Sequence, residues 1–200
     1  MRQLVKTALP DVLYYRNAIS LAQAEVLAGD YESKLLRKKY EGNHFDSVIR
    51  DYKEIELPLR RWSSPGQEII QSLFDLSFSH EPSEDANQRR LLPPHVLELK
   101  PETGEILPHL DSIKHGGGVV AVLSLLSVRR LVLTEPAGDY VVKPNREEGK
   151  VIGELDVEPL SLYVLHKTSR YEMSHAISPG KHRRISIVFR DEPTERPSWL

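Results

Sequence analysis

Apolar positions along the chain follow two patterns. Over the first third they recur at helical spacing, and from Leu91 onward they fall in short runs broken by turn residues. Ser20-Leu21-Ala22-Gln23 has the form of a capping box, and Leu21, Ala24 and Leu27 follow it at helical intervals. Leu35 and Leu36 sit in a second stretch dense in Lys and Arg. A further helix start is marked by Ser64 as cap, Pro65 at the first helical position and Gln67 closing the box. Ile69, Ile70, Leu73 and Phe74 give that helix an apolar face.

Residues 79–90 are polar and aperiodic, and read as an exposed loop. Beyond them the pattern predicts strands near His95–Leu99, Glu105–Asp111, Val119–Ser127, Arg130–Thr134, Asp139–Val142, Leu160–His166, Tyr171–Ile177 and Arg184–Phe189. The fold class expected is α+β, mostly β: a two-sheet jelly roll, cupin-like, backed by helices. One domain is expected over residues 1–200, with a helical part over about 1–80, the jelly roll over about 91–190 and a short C-terminal tail.

Composition changes this picture little. The chain is 40% hydrophobic and 28% charged, with a formal net charge of −2, so no overall basic field draws it to nucleic acid or a membrane surface. It has no cysteine, which removes disulfides, thiolate metal sites and cysteine nucleophiles together and favours an intracellular home. A bound metal must use His, Asp or Glu. No apolar run reaches membrane-span length. The opening MRQLVKTALPDVLYY holds early cations but no clear presequence. A monomer is the expected state.

The candidate chemistry begins at Pro108-His109-Leu110-Asp111. In a strand, residues i and i+2 share a face, so His109 and Asp111 would project together. A third ligand from a facing strand would complete two His and one carboxylate, the facial set of non-haem Fe(II) oxygenases. His175, in YEMSHAI, can supply it. His-x-Asp alone is a weak signal, and a lone His175 reads more simply as a hydrogen-bonded structural histidine.

The last strand carries a second signal. Ile185, Ile187 and Phe189 share one face, and Arg184, Ser186, Val188 and Arg190 the other. Two guanidinium groups facing a barrel interior need anions, and a dicarboxylate such as 2-oxoglutarate would meet them. Its distal carboxylate suits the planar fork of Arg184. The competing reading is an edge strand whose arginines are solvated. Tyr163, within the apolar stretch Leu162–Leu165, offers a hydroxyl to a ligand carboxylate, or is a core tyrosine.

His109-Leu110-Asp111, then His175, then Arg184 with Arg190 resembles the signature of the AlkB family of Fe(II)/2-oxoglutarate dioxygenases. PHLDSIK, LSLLS, EPLSLYVLHKTSRYEMSH and RRISIVFR resemble its mitochondrial branch. The resemblance implies a double-stranded β-helix, Fe(2+) held by His109, Asp111 and His175, and 2-oxoglutarate contacts from Tyr163, Arg184 and Arg190. It also implies O2 as oxidant, 2-oxoglutarate split to succinate and CO2, and hydroxylation or demethylation of the substrate. The chain departs from the family in lacking an Asn-x-Tyr before His109. Glu105 stands near the tyrosine's place and is expected to point away, since it would repel the cosubstrate.

The mitochondrial branch is associated with lipid metabolism and programmed necrosis, which implies a mitochondrial, matrix location and a protein or RNA substrate. Duplex DNA is not expected as a partner. Lys181, His182 and Arg183 form the one short basic run near the proposed mouth, and such a run is most often a solvated turn. Two alternatives stay open: a cupin-like metal-binding module or isomerase, which needs no inward arginines, and a scaffold with a vestigial pocket.

Overall fold

The apolar runs of the second half pair as antiparallel strands, and the helices of the first half cover one face of the sheet they form. The computed structural model describes residues 2–79, 90–112, 116–135 and 149–192. In chain order the elements are β1 (Gln3–Val5), β2 (Val12–Arg16), α1 (Leu21–Leu35), β3 (Glu41–Asn43), β4 (Ile49–Glu56), α2 (Ser64–Phe78), β5 (His95–Leu99), β6 (Glu105–His109) and β7 (Val119–Leu125). They continue with β8 (Arg129–Thr134), β9 (Val151–Val157), β10 (Leu162–His166), the short α3 (Lys167–Tyr171), β11 (Ser174–Ile177) and β12 (Arg184–Arg190).

The strands hydrogen-bond in the order β1-β2-β10-β7-β12-β5-β4-β6-β11-β8-β9, with β3 added to β4. The path bends at β4. Its Tyr52–Glu56 stretch pairs with β5, while Ile49 and Arg50 pair with β6. The strands beyond β4 turn back to face the first set, and Leu131, Leu133 and Ile177 from one side meet Leu97, Val120, Val122, Tyr163 and Leu165 from the other in a shared core. A second core lies between the outer face of the first set and α1 and α2, where Leu27, Tyr31, Ile70 and Leu73 pack on Leu123, Val164, Ile185 and Ile187.

Strands covered on both faces carry apolar residues on both, so β7 reads Val-Val-Ala-Val-Leu-Ser-Leu, apolar at all positions but Ser124, and is buried throughout. Strand β12 divides its residues as the alternation predicts. Ile185, Ile187 and Phe189 enter the helix-side core, and Val188 packs against the core between the sheets. Arg184 and Arg190 share the face of Val188.

Four strands, β1–β4, lie in the part read from sequence as helical. The pairing of β2 with β10, Tyr14 opposite Tyr163, is made across most of the chain, and local spacing does not register such partners. Strand β9 was not expected, and residues 167–171 form α3 where a strand over Tyr171–Ile177 was expected to begin. The expected strand Asp139–Val142 lies outside the described residues, as does nearly all of the 79–90 loop. Among the described residues no helix is long and apolar enough to cross a membrane.

The α1 capping box forms as read, with Ser20 Oγ accepting from Gln23 N–H at 3.2 Å and Gln23 Oε1 accepting from Ser20 N–H at 2.9 Å. The α2 cap is one residue earlier than expected. Ser63, not Ser64, accepts from Gly66 N–H at 3.2 Å, and Ser63 also donates to Asp30 of α1 at 2.9 Å. Gln67 does not close a box; its amide donates to the Trp62 carbonyl at 2.9 Å. Ser63→Ala is therefore expected to cost about 1 kcal/mol or more in urea unfolding, and Ser64→Ala less than about 0.5 kcal/mol. Equal costs would refute this cap.

Candidate metal and cosubstrate site

The two histidines meet as cross-strand neighbours. His109 ends β6 and lies opposite His175 of β11, and their ring centroids are 4.3 Å apart. Asp111 lies just past the end of β6, not inside the strand as the i, i+2 reading supposed. Its side chain nevertheless reaches both rings. Oδ1 is 3.8 Å from His109 Nε2, and Oδ2 is 3.4 Å from His175 Nε2. One ligand atom from each of the three residues lies within 4.8 Å of the others.

These residues fit a divalent cation. His109 Nδ1 donates to the Leu107 carbonyl at 2.9 Å, which leaves the Nε2 lone pair facing Asp111. Asp111 Oδ2 is buried and, among the described residues, has no hydrogen-bond partner. Burial pushes the His175 pKa down to about 3, helped by His109 and Arg170 and opposed by Asp111, so the ring stays neutral, as a ligand must. Burial alone would raise the Asp111 pKa, but His175, His109, Arg170 and Arg190 outweigh it and hold the carboxyl at about 2.

Arg184, at the start of β12, is fully buried. Its Nη1 donates to Ser186 Oγ at 3.1 Å and its Nη2 to Ser124 Oγ at 3.2 Å, while Nε has no hydrogen-bond partner among the described residues. Among the described residues no carboxylate pairs with it. Burial lowers its pKa, and the neighbouring Tyr163 hydroxyl works against that. The Tyr163 pKa is raised by burial, with Arg184 pulling it down and Asp111 pushing it up. The phenol thus lies within electrostatic reach of both Arg184 and the carboxylate beside the histidines.

The remaining residues singled out from sequence divide. Arg190 acts on Asp111, and its Cδ would lie 3.2 Å from a Cβ placed on Gly116, so it flanks the Asp111 side of the site. Glu105 turns outward to Arg50 at 3.1 Å. Arg183, from the basic run, is committed to Glu32 at 2.6 Å and Glu98 at 3.2 Å. Two further buried arginines escaped the sequence reading. Arg129 holds the turn before β12 by donating to the His182 carbonyl, and Arg170 binds backbone around Asp111. Arg129 shares strand parity with the buried Leu131 and Leu133, a signal that was present in Val-Arg-Arg-Leu-Val-Leu.

Solved structures share this architecture. The structure of OsALKBH1 superposes with a TM-score of 0.62 at 12% identity, covering 92% of this chain and all of that one. A prolyl hydroxylase from Trichoplax adhaerens, solved in complex with a hypoxia inducible factor oxygen degradation domain peptide fragment, gives 0.63 at 16%, covering 92% and 84%. A Pseudomonas putida prolyl-4-hydroxylase gives 0.63 at 14%, covering 92% and 93%. The fold is the jelly roll of the 2-oxoglutarate oxygenases. No family model matches the chain. The alpha-ketoglutarate-dependent dioxygenase alkB homolog 7, mitochondrial, of Bos taurus is 35% identical over 188 residues, covering 88% of this chain and 76% of that protein. The Mus musculus protein of the same name matches to the same extent. The chain belongs to the AlkB family of alpha-ketoglutarate-dependent dioxygenases, on the alkB homolog 7 branch. It is an Fe(II)- and 2-oxoglutarate-dependent enzyme that uses O2.

The burial of His175 sets a pH dependence. Its pKa is about 3 in the fold against 6.5 for a free histidine, so the unfolded chain binds more protons between those values. Metal-free protein should keep this contribution to stability in full above pH 6.5 and lose it progressively as the pH falls towards 3. Asp111 adds a second loss between 3.8 and about 2. Urea unfolding at pH 7 and pH 5 should give the lower stability at pH 5, with a smaller difference in His175→Leu. An unchanged difference in that variant would place the titration elsewhere.

Proposed function

We propose that His109, Asp111 and His175 hold the iron, and that Arg184 with Tyr163 receives the distal carboxylate of 2-oxoglutarate. The observation that carries this reading is the Arg184 guanidinium, wholly buried in the described structure without a carboxylate partner. Such a charge is costly to keep out of water, and a dicarboxylate reaching back from the metal would compensate it. Serine hydroxyls and a tyrosine around the guanidinium suit a carboxylate, since they donate without adding negative charge. Neither a bare metal-binding module nor an isomerase needs this cation. Arg190 stands on the metal side, where it bears on the carboxylate end of the cosubstrate or on the substrate.

Bound iron supplies the activation of O2 that, coupled to loss of CO2 from 2-oxoglutarate, hydroxylates a carbon of the substrate. The protein's part is to keep His175 neutral, orient His109 through Leu107, and fix the cosubstrate at its far end through Arg184. The substrate in this reading is a protein side chain on a flexible segment, in the mitochondrial matrix. A net charge of −2 and the pairing of Arg183 with Glu32 and Glu98 leave few cations for a phosphate backbone.

His109→Ala and Asp111→Ala should each lose the one Mn(II) equivalent bound by the wild-type chain, as read by electron paramagnetic resonance. Full retention in both would dismiss the site. Arg184→Met should weaken 2-oxoglutarate by about 1.5–3 kcal/mol, roughly ten- to a hundredfold, in calorimetric titration of Mn(II)-loaded protein. The same variant should unfold no more easily than wild type in the absence of 2-oxoglutarate, because it removes an uncompensated buried charge. Unchanged affinity would move the distal carboxylate elsewhere. Succinate release stimulated by a methylated RNA, and not by mitochondrial protein extract, would replace the protein substrate with an unpaired base.

A further inference from the structure

Arg170 is 2% exposed, and each of its three guanidinium nitrogens donates to backbone. Nη1 donates to the Asp111 carbonyl at 2.8 Å, and Nη2 to Ser112 at 3.4 Å and Gly116 at 3.3 Å; Nε donates to Gly117 at 3.2 Å. Among the described residues no carboxylate pairs with it. All four carbonyls lie outside the strands, where no ladder can satisfy them. They stand on both sides of the segment that leads from Asp111 back to β7.

We propose that Arg170 is a positioning residue for the metal centre, holding Asp111 in ligating position by clamping the backbone of Asp111 and Ser112 to that of Gly116 and Gly117. The inference rests on the assignment of Asp111 as a ligand. Strand β6 ends at His109, so its ladder fixes the first histidine but not the carboxylate two residues later. Arg170 supplies the missing anchor. Gly117 also has a hard wall behind it. Gly117 N–H donates to the Asp191 carbonyl at 2.9 Å, and a Cβ on Gly117 would lie 2.4 Å from the Asp191 side chain. A Cβ on Gly116 would come within 3.2 Å of Arg190 Cδ.

Position in the chain gives the clamp a second consequence. Arg170 lies in α3, just before β11, which carries His175. The stretch that delivers the third ligand therefore also grips the backbone of the second, and the two ligands are tied to one another before a metal arrives. Only a planar fork with five donors serves four carbonyls at once. An ammonium in the same place reaches fewer of them.

The test uses the full chain, with Mn(II) as probe. Arg170→Met should bind one Mn(II) with a Kd raised about ten- to a hundredfold, the scale of lost outer-shell support, and Arg170→Lys should fall between it and wild type. Thermal unfolding without metal is measured alongside. A lowered melting temperature with a wild-type Mn(II) Kd in either folded variant marks an ordinary core brace and overturns the proposal. If Arg170→Met does not fold, Arg170→Lys decides: a raised Kd supports the clamp and a wild-type Kd overturns it. His109→Ala separates this from the centre itself. Loss of Mn(II) there with unaltered binding in the Arg170 variants rejects the clamp alone, whereas Mn(II) retained in His109→Ala rejects the centre and the clamp with it.

Discussion

A guanidinium taken out of water must be compensated, and the chain buries several that no carboxylate of the described residues neutralises. Arg184 is bonded to serines, and Arg129 and Arg170 mostly to carbonyls. Dipoles of this kind offset part of the desolvation. They leave the net charge in place, and Arg170 and Arg190 act on the carboxylate of Asp111. An oxygenase that binds a dianionic cosubstrate needs such buried charge. In the proposed reading, the pockets for distal carboxylate and metal arise from one arrangement of charge.

Strand β12 does most of the work of translating this constraint into structure. Its odd residues enter the core against α1 and α2, which holds the strand in place without help from its polar face. The even positions are thereby free to carry Arg184 at one end and Arg190 at the other. The ladder between β6 and β11 performs the matching task for the histidines, since register alone sets His109 opposite His175. The carboxylate is the member that no ladder holds, and Arg170 bonds the backbone where it lies.

Much of this was legible in local pattern. The runs from His95 to Leu99 and from Arg184 to Phe189 announce strands by composition, and the parity of Arg184 with Arg190 follows from the pleat. His109, Asp111 and His175 could be named because their types and spacing match a known ligand set. Strands β1–β4 were not legible, because short segments such as Val12–Arg16 become strands only when a distant edge is there to accept them. Arg170 was hidden for a different reason: it sits in a one-turn helix, where neither strand parity nor helical periodicity indicates its direction.

The sequence by itself determined which residue types could meet a metal and a dicarboxylate, because donor chemistry belongs to the side chain and strand parity to the local backbone. Tertiary structure alone decided which of them meet. Asp111 joins the histidines from outside its strand, Glu105 turns to Arg50, and Arg183 is withdrawn to Glu32 and Glu98. Pairing register and burial choose among the partners that composition allows, and both depend on contacts made between residues far apart in the chain.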